Sequence, residues 1–141
     1  MKIALYPGSF NPFTEGHKSI VERGLRIFDK IIIGIGINSE KKIPEDNRLE
    51  YIRSLFKNNF QIEVIEYSGL TFELAKNLKV NAILRGVRNT IDFEYEKTLA
   101  TANRIYSEGI ETIFLPCLPE LEHISSTLIR EIETLRKRKE N

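Results

Sequence analysis

The 141-residue sequence carries one cysteine, Cys117, and two histidines. A lone cysteine makes no internal disulfide, and a chain of this length buries a sufficient core without covalent staples, so a reducing compartment is expected. One cysteine and two histidines also fall short of a common zinc site, and no metal ligand set is expected from the protein itself. Neither charge is in excess. The 21 Lys and Arg stand against 20 Asp and Glu, a net of +1, which excludes the chain-wide basic field that holds a nucleic-acid backbone; an anion site here must be local. Long hydrophobic runs are missing too. The longest, Ile31 to Ile37, is far below the roughly 20 residues of a membrane span. The first apolar stretch, Ile3 to Tyr6, stops at Pro7-Gly8, too short for a signal-peptide core. A soluble, cytoplasmic protein is expected, with no membrane and no nucleic acid among its partners.

What is present is ordinary globular usage, 41% hydrophobic and 29% charged, in a length that suits one domain over residues 1–141. Short β-rich runs alternate with amphipathic segments. Strands are predicted at Lys2 to Tyr6, Lys30 to Ile37, Gln61 to Tyr67, Val80 to Leu84 and Thr112 to Leu115. The clearest helix has His17, Ile20, Val21, Gly24, Leu25 and Phe28 on one stripe. Others are predicted near 46–57, 71–78, 92–107 and 126–138. The first, second and fourth strands are almost wholly apolar, as strands buried on both faces are, whereas Gln61 to Tyr67 alternates and reads as nearer an edge. Strand and helix in alternation give an α/β fold, a Rossmann-like five-stranded parallel sheet with helices on both faces. Ligands of such sheets bind outside the carboxyl ends of the strands, near the switch in strand order.

Strand one runs into Tyr6-Pro7-Gly8-Ser9-Phe10-Asn11-Pro12-Phe13-Thr14-Glu15-Gly16-His17, whose prolines, Gly8 and Asn11 specify a shaped turn. Gly8 lets backbone approach a ligand, Ser9 offers a hydroxyl and Thr14 is a natural N-cap, an anion cradle at a helix start. His17 in the first turn shares the apolar stripe and should face the sheet and its strand ends. Position alone also fits a histidine that bonds a nearby carbonyl and packs on the core. No G-x-x-x-x-G-K-[ST] occurs, which excludes a P-loop. Gly34-Ile35-Gly36 imitates a dinucleotide fingerprint, but Ser39 stands where the third glycine belongs and the glycines fall inside a strand.

Gly8-Ser9-Phe10-Asn11-Pro12 with Thr14-Glu15-Gly16-His17 resembles the T/H-x-G-H signature of the nucleotidyltransferase superfamily, and Ile124-Ser125-Ser126-Thr127-Leu128-Ile129-Arg130 resembles its I-S-S-T-x-x-R signature. Arg85-Gly86-Val87-Arg88 and Asp92-Phe93-Glu94-Tyr95-Glu96 are similar to segments of the bacterial phosphopantetheine adenylyltransferases in particular. The resemblance spans nearly the whole chain. It implies transfer of AMP from ATP to 4'-phosphopantetheine, giving dephospho-coenzyme A and pyrophosphate, with magnesium arriving on ATP, in a homohexamer open to coenzyme A feedback.

Residue by residue, the resemblance gives Ser9 and Phe10 to ATP, Ser9 also to the acceptor phosphate, and His17 to the α-phosphate. It makes Lys41 and Arg88 catalytic beside His17, Lys41 also meeting the acceptor. Gly86, Val87, Arg88 and Glu96 line ATP; Arg85 and Thr71 hold the acceptor. Leu121, Glu122, His123, Ile124, Ser125, Ser126 and Thr127 complete the nucleotide site, the hydroxyls at a helix start favouring the β- and γ-phosphates. Three departures stand out. Ile43 to Arg48 is about two residues shorter than usual, Leu121-Glu122-His123 replaces an aromatic, small, aromatic run, and the sequence ends soon after the last helix, where many members carry a further segment.

Plainer readings accompany several of these residues. Lys41 and Lys42 read equally as a solvated pair, and Arg85 and Arg88 as partners of Asp92 or Glu94. Glu96, four residues after Asp92, reads as a solvated helix face, while Thr71 and Ser125 to Thr127 read as helix starts. The run Arg136 to Lys139 suits a helix C-terminus rather than nucleic acid. Two other functions remain open from the residues: a transferase of the same superfamily acting on nicotinate mononucleotide, and a nucleotide sensor without turnover.

Overall fold

A computed structural model describes residues 1–37, 47–118 and 126–140. Ten elements follow one another as β1 (Ile3–Gly8), α1 (Glu15–Gly24), β2 (Lys30–Gly36), α2 (Arg48–Leu55), β3 (Ile62–Tyr67), α3 (Thr71–Asn77), β4 (Ala82–Val87), α4 (Thr90–Tyr106), β5 (Glu111–Pro116) and α5 (Ser126–Glu140). The strands form one parallel sheet in the order β3-β2-β1-β4-β5. The order therefore reverses beside β1. β2, whose Ile-rich segment is buried through its length, lies inside the sheet. β3 is mostly half-buried or exposed, with Val64 alone buried, and forms an edge, as its sequence pattern predicts.

Side chains of opposite strand parity feed two cores. On one face Tyr6, Ile31, Ile33, Ile35 and Leu84 pack against Ile20 and Val21 of α1 and Ile52 of α2. On the other, Leu5, Ile32 and Ile83 meet Ala75 of α3, with Leu74, Leu78 and Ile110 around them. α4 packs against α3, β4 and β5. The expected α/β architecture, a five-stranded parallel sheet with helices on both faces, is the observed one. None of the described helices is long and apolar enough to cross a membrane.

Two strand ends differ from expectation. β1 continues through Pro7 and Gly8, which pair in register with Gly34 and Ile35 of β2, so neither belongs to the turn. β4 starts at Ala82 and continues to Val87, opposite Pro116, so Arg85, Gly86 and Val87 lie within the strand and only Arg88 follows it. The apolar run stops at Leu84 because Arg85, in the last half of β4, carries its guanidinium toward the clefts at the strand ends. At Gly86 a Cβ would lie 3.2 Å from Ile20 and 3.3 Å from Cys117 Sγ, so its smallness lets α1 sit close to the sheet.

Gly24, the last residue of α1, makes the same close approach more tightly. A Cβ would lie 2.7 Å from Ile31 Cδ1 and 2.8 Å from Leu84 Cδ2, both in fully buried side chains. In Gly24→Ala, helix propensity favours alanine by up to about 1 kcal/mol, while forcing buried side chains apart costs about 1–3 kcal/mol. The variant should lose on the order of 1 kcal/mol, read as a lower urea midpoint. A raised midpoint would contradict this packing.

Candidate functional site

Thr14 begins the site by ending the turn after β1. Its backbone is extended, and its hydroxyl accepts from the His17 amide at 3.4 Å. The His17 ring closes the box, because Thr14 N–H donates to His17 Nδ1 at 2.9 Å. A capping box ordinarily has a carboxylate or amide side chain at this third position. Histidine there has a chemical consequence: with Nδ1 accepting, the neutral imidazole carries its proton on Nε2. Burial, followed by the charges of Arg85 and Arg88, lowers the His17 pKa below its ordinary 6.5, which favours that neutral form.

Aromatic rings fix the imidazole. Phe10 meets it edge to face at 5.1 Å between centroids, Phe13 lies at 5.4 Å and Tyr6 at 6.5 Å. Phe10 is buried, with φ of +47°, and its ring lies over Gly8, where a Cβ would come within 2.8 Å. Gly8 is thus required by Phe10 as well as by any ligand. Burial raises the Tyr6 hydroxyl well above its usual range, so it stays protonated. Gly16 has only Thr14 Oγ1 near a hypothetical Cβ, at 3.5 Å, so internal packing does not demand it.

The second part of the site comes from β4 and α4. Arg85 Nε donates to Glu96 Oε2 at 2.9 Å and Nη2 to Glu96 Oε1 at 2.5 Å, while Nη1 donates to the Pro7 carbonyl. Burial disfavours the Arg85 charge, but the hydrogen bond and charge of Glu96 outweigh it and raise the guanidinium pKa further. Glu96 is only 5% exposed, so its reading as a solvated helix face is corrected: α4 turns that face onto β4 and β5. Arg88 is mostly exposed. Asp92 Oδ2 accepts from its backbone amide at 3.2 Å and lies 3.6 Å from its Nε, and Asn89 caps α4 through the Asp92 amide. Ser9 is exposed directly after β1, its carbonyl accepting from Arg48 Nη1 at 2.6 Å.

Two clefts of about 420 Å³ each open here, at the carboxyl ends of β1 and β4 where strand order reverses. One brings together Ser9, Phe10, Gly16, His17, Gly86, Arg88 and Asp92. The other is lined by Tyr67, Leu70, Thr71, Phe72, Leu99 and Asn103, a more apolar set. Both clefts include Gly8, Ser9, Arg85 and Glu96, so they meet at the clamped guanidinium. A larger hollow of about 690 Å³ lies at the amino ends of β2 and β3, around Lys30, Arg53 and Ile62, away from these groups. We place no chemistry there, since sheets of this type bind ligands at the opposite end.

Tyr67 is a site residue that the sequence reading missed. Gly34 and Gly36 leave room for its ring on β2, a Cβ at Gly34 falling 3.2 Å from it, and its hydroxyl bonds Thr71 Oγ1 at 2.9 Å. Thr71 therefore opens α3 without capping it and faces the second cleft. The glycine pair, bare between isoleucines, was the available signal. Val87 ends β4, its carbonyl accepting from Cys117 N. Thr127 lies exposed on α5, beside Arg130, Glu131, Thr134 and Leu135 rather than in the His17 cleft; Ser126 begins that helix. Lys41, Leu121, Glu122, His123, Ile124 and Ser125 lie outside the described residues. Among the described residues no three His, Cys, Asp or Glu side chains stand together as a metal site. The carboxylates of the first cleft, Asp92 and Glu96, face Arg88 and Arg85, so this donor set suits phosphate oxygens better than a bare cation.

Residues 5–132 match the cytidylyltransferase-like family. The phosphopantetheine adenylyltransferase of Bacteroides thetaiotaomicron is 49% identical over 139 residues, covering 97% of this chain and 91% of that one. That of Flavobacterium johnsoniae is 46% identical over 134 residues, covering 94% and 88%. Among solved structures, a bifunctional NMN adenylyltransferase/ADP ribose pyrophosphatase of Francisella tularensis has a TM-score of 0.59 at 18% identity, covering 92% of this chain and 41% of that one; it is alike in fold.

In the ligand-free protein, NMR titration of His17 should give a midpoint below 6.5, and its ring nitrogen shifts should report Nε2 as protonated. A lowered native pKa makes the unfolded chain the better proton acceptor, so acidification through about 6.5 removes stability and alkaline pH leaves it unchanged. A midpoint above 6.5, or a proton on Nδ1, would contradict the capping geometry.

Proposed function

The chain belongs to the cytidylyltransferase-like family and, within it, to the bacterial phosphopantetheine adenylyltransferases, and from that premise we propose that it transfers AMP from ATP to 4'-phosphopantetheine, releasing pyrophosphate and dephospho-coenzyme A. The observation that carries the reading is the meeting of two clefts at Ser9, Arg85 and Glu96. The first offers an imidazole and guanidinium groups to a nucleotide's phosphates. The second offers apolar walls and the Tyr67–Thr71 hydroxyl pair to an extended amide arm.

In this reading an oxygen of the acceptor's phosphate attacks the α-phosphorus of ATP while the bond to the β-phosphate oxygen breaks, so pyrophosphate leaves in line. The nucleophile is already an anion, so the protein needs no base and its work is positioning. Neutral His17 donates from Nε2 to an α-phosphate oxygen as charge grows there, and Arg88 adds its cation. Arg85 holds the acceptor phosphate at the junction, with Ser9 between the two substrates. Gly86 and Val87 shape the nucleotide side, Phe10 fixes the imidazole, and Thr71 meets the acceptor. Lys41 joins the catalytic set, and Leu121 to Thr127 the nucleotide set, on the resemblance alone. Magnesium bound to the incoming ATP would supply charge neutralisation on the polyphosphate.

The same proposal takes residues 1–141 as one nucleotidyltransferase domain, supported by the single sheet and by the family match over 5–132, and places it in the cytoplasm on the sequence reading alone. It also takes the homohexamer and coenzyme A feedback of the resemblance. The exposed apolar residues Ile91, Tyr95 and Ile105 on α4 and Leu135 on α5 give copies of the chain surface to bury.

Pyrophosphate release with Mg-ATP should occur with 4'-phosphopantetheine and not with nicotinate mononucleotide. His17→Ala should reduce turnover by about 10² to 10³, the loss typical of one transition-state donor, without unfolding the protein. Equal turnover in the variant would remove His17 from the mechanism. Release with nicotinate mononucleotide alone would reassign the acceptor.

A further inference from the structure

We infer that Arg48, the first residue of α2, is a positioning residue of the reaction: it holds the Ser9 carbonyl and, through the turn after β1, keeps the Phe10 ring against His17. The inference rests on the adenylyl-transfer reading above. Arg48 Nη1 donates to the Ser9 carbonyl at 2.6 Å, across 39 residues of chain. With a charged donor, such a bond is roughly twice as strong as a neutral one. Arg48 is half-buried and belongs to the wall of neither cleft, so its effect on substrates passes through the turn. The base from which it reaches is fixed. α2 is pinned by Ile52, which is fully buried, by Phe56 at its end, whose ring meets Phe13 at 6.0 Å, and by Arg53, which donates to the Val64 carbonyl at 2.9 Å.

The turn needs an outside hold. Phe10 has φ of +47°, a left-handed conformation that is costly for a residue with a Cβ and persists only where its surroundings enforce it. That angle is the rotation between the Ser9–Phe10 peptide plane and the rest of Phe10, and each side of it is held. On one side Arg48 grips the Ser9 carbonyl, which lies in that plane. On the other, the buried Phe10 ring lies over Gly8, where no Cβ obstructs it. The same ring meets the His17 imidazole edge to face at 5.1 Å and Phe13 at 5.2 Å. Once the carbonyl is released, the peptide plane relaxes toward an unstrained φ, and the ring that walls the imidazole shifts with it. Thr14 still donates to Nδ1, so His17 keeps its tautomer and loses its aim.

The test is Arg48→Met, which keeps an unbranched stem for packing and removes the donor. kcat should fall by about 10-fold or more, the usual loss for a hydrogen bond to a charged group. KM for ATP and for 4'-phosphopantetheine should stay nearly unchanged, because the aim of the imidazole matters in the transition state. In a His17→Ala background the same substitution should cost nothing further, whereas a merely structural role would lower both backgrounds alike. In the ligand-free protein, Overhauser contacts between the Phe10 and His17 rings should weaken in Arg48→Met. If that variant does not fold, Arg48→Gln carries the same comparisons. A rise in either KM with the ring contacts intact would make Arg48 a substrate ligand and overturn the inference, as would an unchanged kcat or an additive loss in the double variant. If the wild-type protein fails to turn over 4'-phosphopantetheine, the functional reading fails. The ring contacts then decide for Arg48: weakened in the variant they support its hold on the turn, and equal in both proteins they overturn it.

Discussion

β1 and β4 pair only through Ala4↔Ala82 and Leu5↔Ile83 before they separate, and the site depends on what fills that gap. Further along, each strand is hydrogen-bonded on its outer side, β1 to β2 and β4 to β5, so the reversal in strand order leaves a crevice with backbone on both walls. Arg85 enters from one wall and bonds the Pro7 carbonyl of the other. An unpaired carbonyl in so buried a place would cost about 1–3 kcal/mol, so the guanidinium closes the sheet's own hydrogen-bonding as it builds the site.

That arrangement makes the charges in the crevice unequal in character. Arg85 is held in a buried pair and moves little, whereas Arg88 is mostly exposed and its contact with Asp92 is longer. A surface pair of this kind contributes little to stability, which leaves Arg88 free to turn toward an incoming phosphate. His17 sits between these extremes. It is gripped at Nδ1 by the helix start it caps and walled by Phe10 and Phe13, so its remaining nitrogen has one direction to donate in. Helix capping, an element of fold stability, thus sets the tautomer on which the chemistry relies.

The architecture was legible in the alternation of apolar runs because burial on two faces leaves no other composition for β2, and the edge position of β3 followed from its mixed pattern. Strand ends were less legible. Pro7, Gly8, Arg85 and Gly86 are polar, small or turn-forming, so local preference argued against strand where pairing with β2 and β5 prevails. Thr14 and His17 could be found from three-residue spacing, the period of a cap. The burial of Glu96 against Arg85 could not, since spacing from Asp92 gives its helix face but not what that face meets. The Tyr67 wall was hidden for the same reason: two glycines signal space, and only the third dimension shows which ring fills it.

The most direct measurement is a crystal structure with an ATP analogue carrying an unreactive α,β-methylene bridge, together with 4'-phosphopantetheine. An α-phosphate oxygen should lie about 3 Å from His17 Nε2, with the acceptor's phosphate against Arg85. A nucleotide bound instead in the hollow around Lys30 and Arg53, or an α-phosphate beyond reach of the imidazole, would contradict the account.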